Sequence, residues 1–246
     1  GRTGIIVGSG LGLNDAVPEE RRAPSYLSSL QEKIRRMAEK KFDIAAEVIY
    51  ISNACSAGSQ AISYGIDLLE TNCHDLVIAG GADVISKMAY AGFWRLNALD
   101  KNGCHPFDKN RKGIMIGEGS VFFILERITK AGPGVKQYCR LGAGTTNDAY
   151  HIVQIKPDGL QIKRAMDEAL DAVGLSREDV GLVVAHGTGT LLNDRAEAEV
   201  LTEYFGEKFS GLAVTAPKSA IGHTGGASGA FGLLVAIGSM LKGEIP

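Results

Sequence analysis

The chain lacks several things that would narrow its role early. It has little net charge: 26 Lys and Arg stand against 28 Asp and Glu in 246 residues, a formal balance of −2. No basic surplus exists to neutralise a phosphate backbone, which argues against nucleic acid as a partner. Its four cysteines, Cys55, Cys73, Cys104 and Cys139, form no CxxC pair and no regular framework. In a chain this long that argues against a disulfide scaffold and for reduced thiols. The sequence opens on no signal-like segment, and with the unpaired thiols this leads to an expected cytoplasmic setting. It begins on Gly1, as a processed product or a fragment would. One uncharged run, "TGGASGAFGLLVAIGSML" (224–241), barely reaches the length of a membrane span. Its Gly, Ala and Ser content, directly after motif-like residues, predicts a helix buried on all sides and no membrane.

Glycine, by contrast, is plentiful, at 32 residues. It falls at the ends of apolar runs, which predicts tight turns and close backbone approaches. Short apolar runs alternate with longer helical patterns. "GIIVGSG" (4–10), 45–54, 75–84 and 119–127 read as strands; 24–42 and 56–72 read as helices. The runs at 75–84 and 119–127 show no alternation, which predicts burial on both faces. A second series places strands at 138–144, 180–187 and 212–219 and helices at 159–174, closed by Gly174, and 194–206. Such alternation predicts an α/β fold with helices on both sides of largely parallel sheets. Two halves, 1–130 and 131–246, are expected to meet at the connector "ITKAGPGVKQ" (128–137).

Chemistry gathers at strand ends. "SNACSAG" puts Cys55 between a strand and a helix, among small residues. Free N–H groups and the positive end of a helix dipole there would favour the nucleophilic thiolate over the thiol; taken alone, the position suits a buried structural cysteine at least as well. "AHGTGTLLND" places His186 just past a strand, and "APKSAIGHTGGASG" places Lys218 and His223 between a strand and the uncharged helix. Strand ends of α/β sheets are where sites collect. "GSGLG" (8–12) lacks the GxGxxG spacing and reads as a turn. "DKNRKG" (108–113) lacks EF-hand spacing. Cys104 with His105, and Cys73 with His74, cannot form metal sites alone.

The stretches "NACSAG", "VIAGGAD", "HPFDKNRKGIMIGEGS", "NDAYH", "AHGTGTLLNDRAEAE" and "PKSAIGHTGGASGA" run in order from about residue 48 to 240. In that order they resemble a β-ketoacyl-acyl carrier protein synthase of the elongating, Cys-His-His kind, in the thiolase superfamily. The resemblance implies a thiolase-like fold of two α/β/α halves with mixed sheets and buried helices. It implies Cys55 as the acyl-accepting nucleophile and His186 and His223 as the pair that holds the extender thioester carbonyl. Lys218 matches the lysine of the active centre, and Glu197 the acid that family members place in an ion pair with it. Asp148 and His151 match a loop near the site, and "DKNRKG" belongs to its surround. The implied reaction is decarboxylative Claisen condensation of an acyl thioester with a malonyl-type thioester, in fatty acid or polyketide synthesis. Acyl transfer or decarboxylation without condensation, and a non-catalytic partner subunit, are the alternatives. Acyl carrier protein and a second subunit, in a homodimer or heterodimer, are the implied partners; no cofactor and no metal are implied. Against the family's pattern, the outer segments before "GIIVGSG" and after "KGEIP" are expected to be lacking, including a glycine-rich loop that supplies an oxyanion donor.

Overall fold

The structure is a computed structural model that describes residues 1–10, 25–130, 134–151 and 154–246. Part of the connector, 131–133, and the end of the "GSGLG" turn lie outside the described residues. The chain divides into two compact units, neither a single continuous stretch.

The first unit comprises Gly1–Gly92, Gly117–Tyr138 and Thr224–Phe231. Its frame is a four-stranded sheet in the order β2-β1-β3-β4, formed by β1 (Thr3–Gly8), β2 (Ala46–Ile51), β3 (Leu76–Asp83) and β4 (Gly119–Glu126). β1 runs parallel to both neighbours, with Ile6 opposite Ile49 on one side and Ala79 on the other. β4 pairs antiparallel with β3, so the sheet is mixed. The fully buried Ile6 and Val77 mark the central strands. Helix α1 (Ser25–Phe42) lays Ile34 and Ala38 on Ile5, Val7, Ala46 and Val48. Helix α2 (Ala57–Glu70) is apolar on its inner face through Ala61, Ile62, Leu68 and Leu69. It approaches the sheet closely because Gly65 has no side chain: a Cβ there would lie 3.0 Å from Val77 and 3.1 Å from Leu125.

The second unit comprises Phe93–Ile116, Cys139–His223 and Gly232–Pro246. It holds the parallel pair β5 (Leu182–Val184) and β6 (Ala213–Thr215), with helices α4 (Leu160–Asp171), α5 (Leu191–Phe205) and α6 (Lys218–Ile221). Leu201, Tyr204 and Phe205 of α5 form its core with Met166, Val183 and Leu212 around them. Helix α3 (Lys87–Arg95) and helix α7 (Ser228–Lys242) each begin in the first unit and end in the second.

Three expectations need correction. β4 is not buried on both faces. Ile124 is 70% exposed and Phe122 is also exposed, in alternation with less exposed neighbours. Side chains of a strand point alternately to the two faces of the sheet, and the face that carries Phe122 and Ile124 is open, so its apolar run is not a double-sided core. Residues 138–144 form no strand among the described residues. This segment lies against α4, where Gly142 and Gly144 sit too close to the carbonyls of Ala169 and Ala165 for any side chain. A run of β-formers becomes a strand only with a ladder partner, and here a helix occupies its side. Finally, α7 is not buried on all sides. Ala227, Ala230 and Ile237 make one buried stripe at helical spacing, while Leu234, Met240 and Leu241 are exposed. With its lead-in it is the one helix among the described residues long and apolar enough to cross a membrane by length and composition, and a third of that window is buried.

Candidate active site

In the first unit, β2 runs out at Ile51 and the chain turns sharply. Ala54 takes a left-handed conformation (φ 44°), which is costly for a residue with a Cβ. A 3-10 turn, Ala54–Ser56, then leads directly into α2. Cys55 sits within that turn, partly exposed and free of any disulfide. No side chain caps the start of α2. The N–H of Ala57 donates to the carbonyl of Ala54 within the turn, and the positive end of the α2 dipole lies behind it, which favours negative charge on a nearby sulfur.

The second unit gathers four of the residues singled out in the sequence. His186 follows β5 by one residue, and its position is set by its backbone. Its N–H donates to Glu197 Oε1 (2.6 Å), and the N–H of Gly187 donates to Glu197 Oε2 (2.8 Å). From the other side Lys218 Nζ donates to the carbonyl of His186 (2.6 Å) and lies 3.4 Å from its Nδ1. An ammonium only donates, so Nδ1 is the unprotonated ring nitrogen and Nε2 carries the proton. Lys218 is 5% exposed and His223 4% exposed. The N–H of His223 donates to the carbonyl of Met115 (2.7 Å). The two imidazoles meet edge to face, centroids 5.7 Å apart, and Phe93 tilts over His223 at 6.1 Å.

This crowding decides the charge of both rings. Burial, then the Lys218 cation, pushes His223 down to about 3. His186 keeps an open face but sits deep in the surrounding protein. That desolvation, followed by Lys218 and His223, holds its pKa well below the ordinary value. At neutral pH both rings are neutral, and each offers one N–H.

Asp194 has a part that sequence reasoning missed. It is 1% exposed and accepts the N–H groups of Phe107 (2.7 Å) and Gly189 (3.1 Å), with Arg111 Nε at 3.6 Å. Arg111 also donates to the carbonyls of Thr190 and Leu191. Together they tie the "HPFDKNRKG" loop to the turn after His186. Cys104 donates its thiol to Thr188 O in the same buried seam, and burial pushes its pKa up, so it is an unreactive structural thiol. The available signal was an Asp in the first turn of a helix that follows a Gly/Thr turn. Asp148 and His151 make local contacts, to the N–H groups of Tyr150 and Lys156 and of Gln154 respectively.

Residues 1–131 match the family described as "Beta-ketoacyl synthase, N-terminal domain", and residues 139–246 match "Beta-ketoacyl synthase, C-terminal domain". The chain belongs to the β-ketoacyl synthase family. It is 34% identical over 208 residues to the tetracenomycin polyketide synthase ketoacyl synthase alpha subunit of Streptomyces glaucescens, covering 81% of this chain and 49% of that protein. It is 36% identical over 184 residues to 3-oxoacyl-[acyl-carrier-protein] synthase 2 of Staphylococcus aureus, covering 72% of this chain and 46% of that protein. The ishigamide ketosynthase/chain length factor superposes with a TM-score of 0.85 at 29% identity, over all of this chain and 64% of that one. The chain thus spans about half the length of the curated relatives it matches, and the fold is the thiolase-like fold of ketosynthases.

Proposed function

We propose that this β-ketoacyl synthase chain carries the machinery for decarboxylative condensation, with Cys55 as acyl acceptor and His186 and His223 as the electrophilic pair. The observation that carries the reading is the pair of neutral imidazoles held edge to face beside a buried lysine. In the first step the Cys55 thiolate attacks the carbonyl of an acyl thioester, and the carrier thiolate leaves and takes up a proton. In the second, a malonyl-type thioester loses carbon dioxide. The electrons of the broken C–C bond pass into an enolate whose oxygen becomes negative. N–H donors from neutral His186 and His223 stabilise that oxygen as its charge develops; one such donor contributes about 3–4 kcal/mol in comparable oxyanion sites. The protonated, charged rings are disfavoured here by burial and by repulsion from Lys218, so the neutral donors are the form this site holds. In the third step the enolate carbon attacks the Cys55 thioester, the Cys55 N–H donates to the new oxyanion, and the sulfur leaves, giving a 3-oxoacyl thioester.

Lys218 and Glu197 act through His186: one holds its carbonyl and orders its tautomer, the other holds its N–H. The substrates of this reading are acyl and malonyl thioesters on acyl carrier protein, the carrier named for the Staphylococcus aureus relative. A second subunit fits the reading too. Among the described residues β2 is the outer strand of its sheet, an edge suited to pairing with another chain, and the ishigamide protein is titled as a ketosynthase/chain length factor. Cytoplasmic action follows from these substrates.

That title also supports a second reading, a non-catalytic partner subunit. The presence of Cys55 with both histidines favours the catalytic one. Incubation with acyl- and malonyl-carrier proteins, read by mass, separates the cases. A 3-oxoacyl product supports condensation. Malonyl loss with no new carbon–carbon bond would mark a decarboxylase, and inertness beside a catalytic subunit it activates would mark a partner.

A further inference from the structure

Asp83, the last residue of β3, does more than end a strand. Its carboxylate accepts three donors from two distant parts of the chain: the hydroxyl of Ser9, the N–H of Gly10 (2.8 Å) and the N–H of Gly226. Ser9 is 2% exposed and is itself fixed by donating its N–H to the carbonyl of Ile51, the last residue of β2 (3.0 Å). The geometry admits glycine alone around this carboxylate. Gly225 has φ +56° and stands too near Asp83 to bear a side chain, and Gly226 stands too near Gly10. The segments that Asp83 draws together are those that flank Cys55. A Cβ on Gly10 would lie 3.0 Å from the carbonyl of Ala54, and a Cβ on Gly58 would lie 2.5 Å from the carbonyl of Gly226. All of these contacts lie within the first unit.

We infer that Asp83 is a positioning residue for Cys55: by gathering Gly10 and Gly226 into one clasp, it buttresses the left-handed Ala54 and the start of α2, and so holds the sulfur at the positive end of the α2 dipole. The inference rests on the reading of Cys55 as acyl acceptor. The three donors give the clasp its strength, since N–H and O–H groups facing an ionised acceptor make the stronger hydrogen bonds. Ala54 does not hold a left-handed conformation without support from its surroundings. Once the clasp opens, Ala54 relaxes and the sulfur leaves its place. A displacement of about 1 Å at a reacting group can cost on the order of a hundredfold in rate.

Position and charge predict opposite signs here. Replacing a carboxylate by a neutral amide removes a negative charge from the region of the thiolate, which by charge alone would speed its reactions. Loss of the clasp slows them. The experiment is the rate of Cys55 alkylation by iodoacetamide, read by intact mass and peptide mapping across pH 6–9, in the wild type, Asp83→Asn, Ser9→Ala and Asp75→Asn. Asp75 pairs with Arg127 at the other end of β3, so Asp75→Asn is a control for general destabilisation of the same strand. We expect Asp83→Asn to alkylate at least tenfold more slowly, with its pH profile moved upward. Ser9→Ala, which removes one donor of three and keeps the fold should Asp83→Asn fail to fold, is expected to slow about threefold. Asp75→Asn is expected to match the wild type. Alkylation in Asp83→Asn that is unchanged, faster, or slowed only as much as in Asp75→Asn overturns the inference; if that variant does not fold, a wild-type rate in Ser9→Ala does so. The readout needs no condensation. A wild type that fails to condense but shows Asp83-dependent Cys55 reactivity would remove the functional reading and leave the positioning role standing.

Discussion

Lys218 is the residue on which the chemistry of the second unit turns. Burial, and after it this ammonium 3.4 Å from Nδ1, keep the His186 ring neutral, and the same contact sets its tautomer. The consequence is measurable in acid. An ordinary histidine would charge near 6.5, but His223 does so only at about 3. Decarboxylation of malonyl-carrier protein should therefore show no inflection near pH 6.5 from loss of this donor, and a profile that halves there would contradict the assigned charge state. Stability carries the same signature. His223 is neutral in the folded chain where the unfolded chain would already be protonated, so its contribution is whole above about pH 6.5 and is lost progressively toward pH 3. Urea midpoints should fall between pH 7 and pH 5, and His223→Asn should flatten that fall. On the nucleophile side, Cys55→Ala is expected to abolish the acyl-enzyme adduct seen by intact mass. Persistence of the adduct would move the nucleophile elsewhere. His223→Ala should lower malonyl decarboxylation by about 10²–10³, the usual effect of removing one oxyanion donor, while Cys55 acylation is largely retained.

At the scale of elements, the glycines act as spacing devices at a few backbone crossings. Gly58 in the first turn of α2 is the clearest. Elsewhere in a helix, Gly→Ala stabilises by about 1 kcal/mol through propensity. Here the added methyl meets the carbonyl of Gly226, a backbone atom that cannot rotate away. Overpacking of this kind costs about 1–3 kcal/mol, so Gly58→Ala should be net destabilising in urea titration. A gain in stability would show that the crossing is looser than described. The spacing of these elements was partly legible beforehand. Glycines at the ends of apolar runs announced close approaches, and the strand–turn–helix around Cys55 was readable from its small residues. The identity of the neighbour was not. Nothing local in "YCRLGAG" says that its glycines face α4 and not a strand, because strand formation depends on a partner remote in sequence. The alternation of β4 was hidden for a similar reason. Apolar side chains at its exposed positions look like core until the packing shows which face of the sheet is covered.

For the whole molecule, a net charge of −2 means that no strong like-charge repulsion opposes association. Large apolar side chains remain open in both units, among them Ile124, Trp94 and Met240, and β2 ends its sheet. Association with a second subunit is the expected result. Sedimentation equilibrium at micromolar concentration should give twice the chain mass, or a monomer that pairs when a related ketosynthase subunit is added. A lone monomer at 100 µM that ignores such a subunit would contradict the partner reading.

The sequence by itself determined the residue types and their order: a cysteine where a strand becomes a helix, two histidines in glycine-rich turns, and motifs ordered as in a β-ketoacyl synthase. These are local or sequential properties, and short-range chemistry suffices to express them. Tertiary structure alone decided that Glu197 would hold the backbone of His186, that Lys218 would select its tautomer, and that Asp83 would clasp Ser9 and Gly10 to Gly226, 143 residues beyond Asp83 along the chain. Hydrogen bonds and desolvation act over a few ångströms of space, and separation along the chain carries no record of those distances.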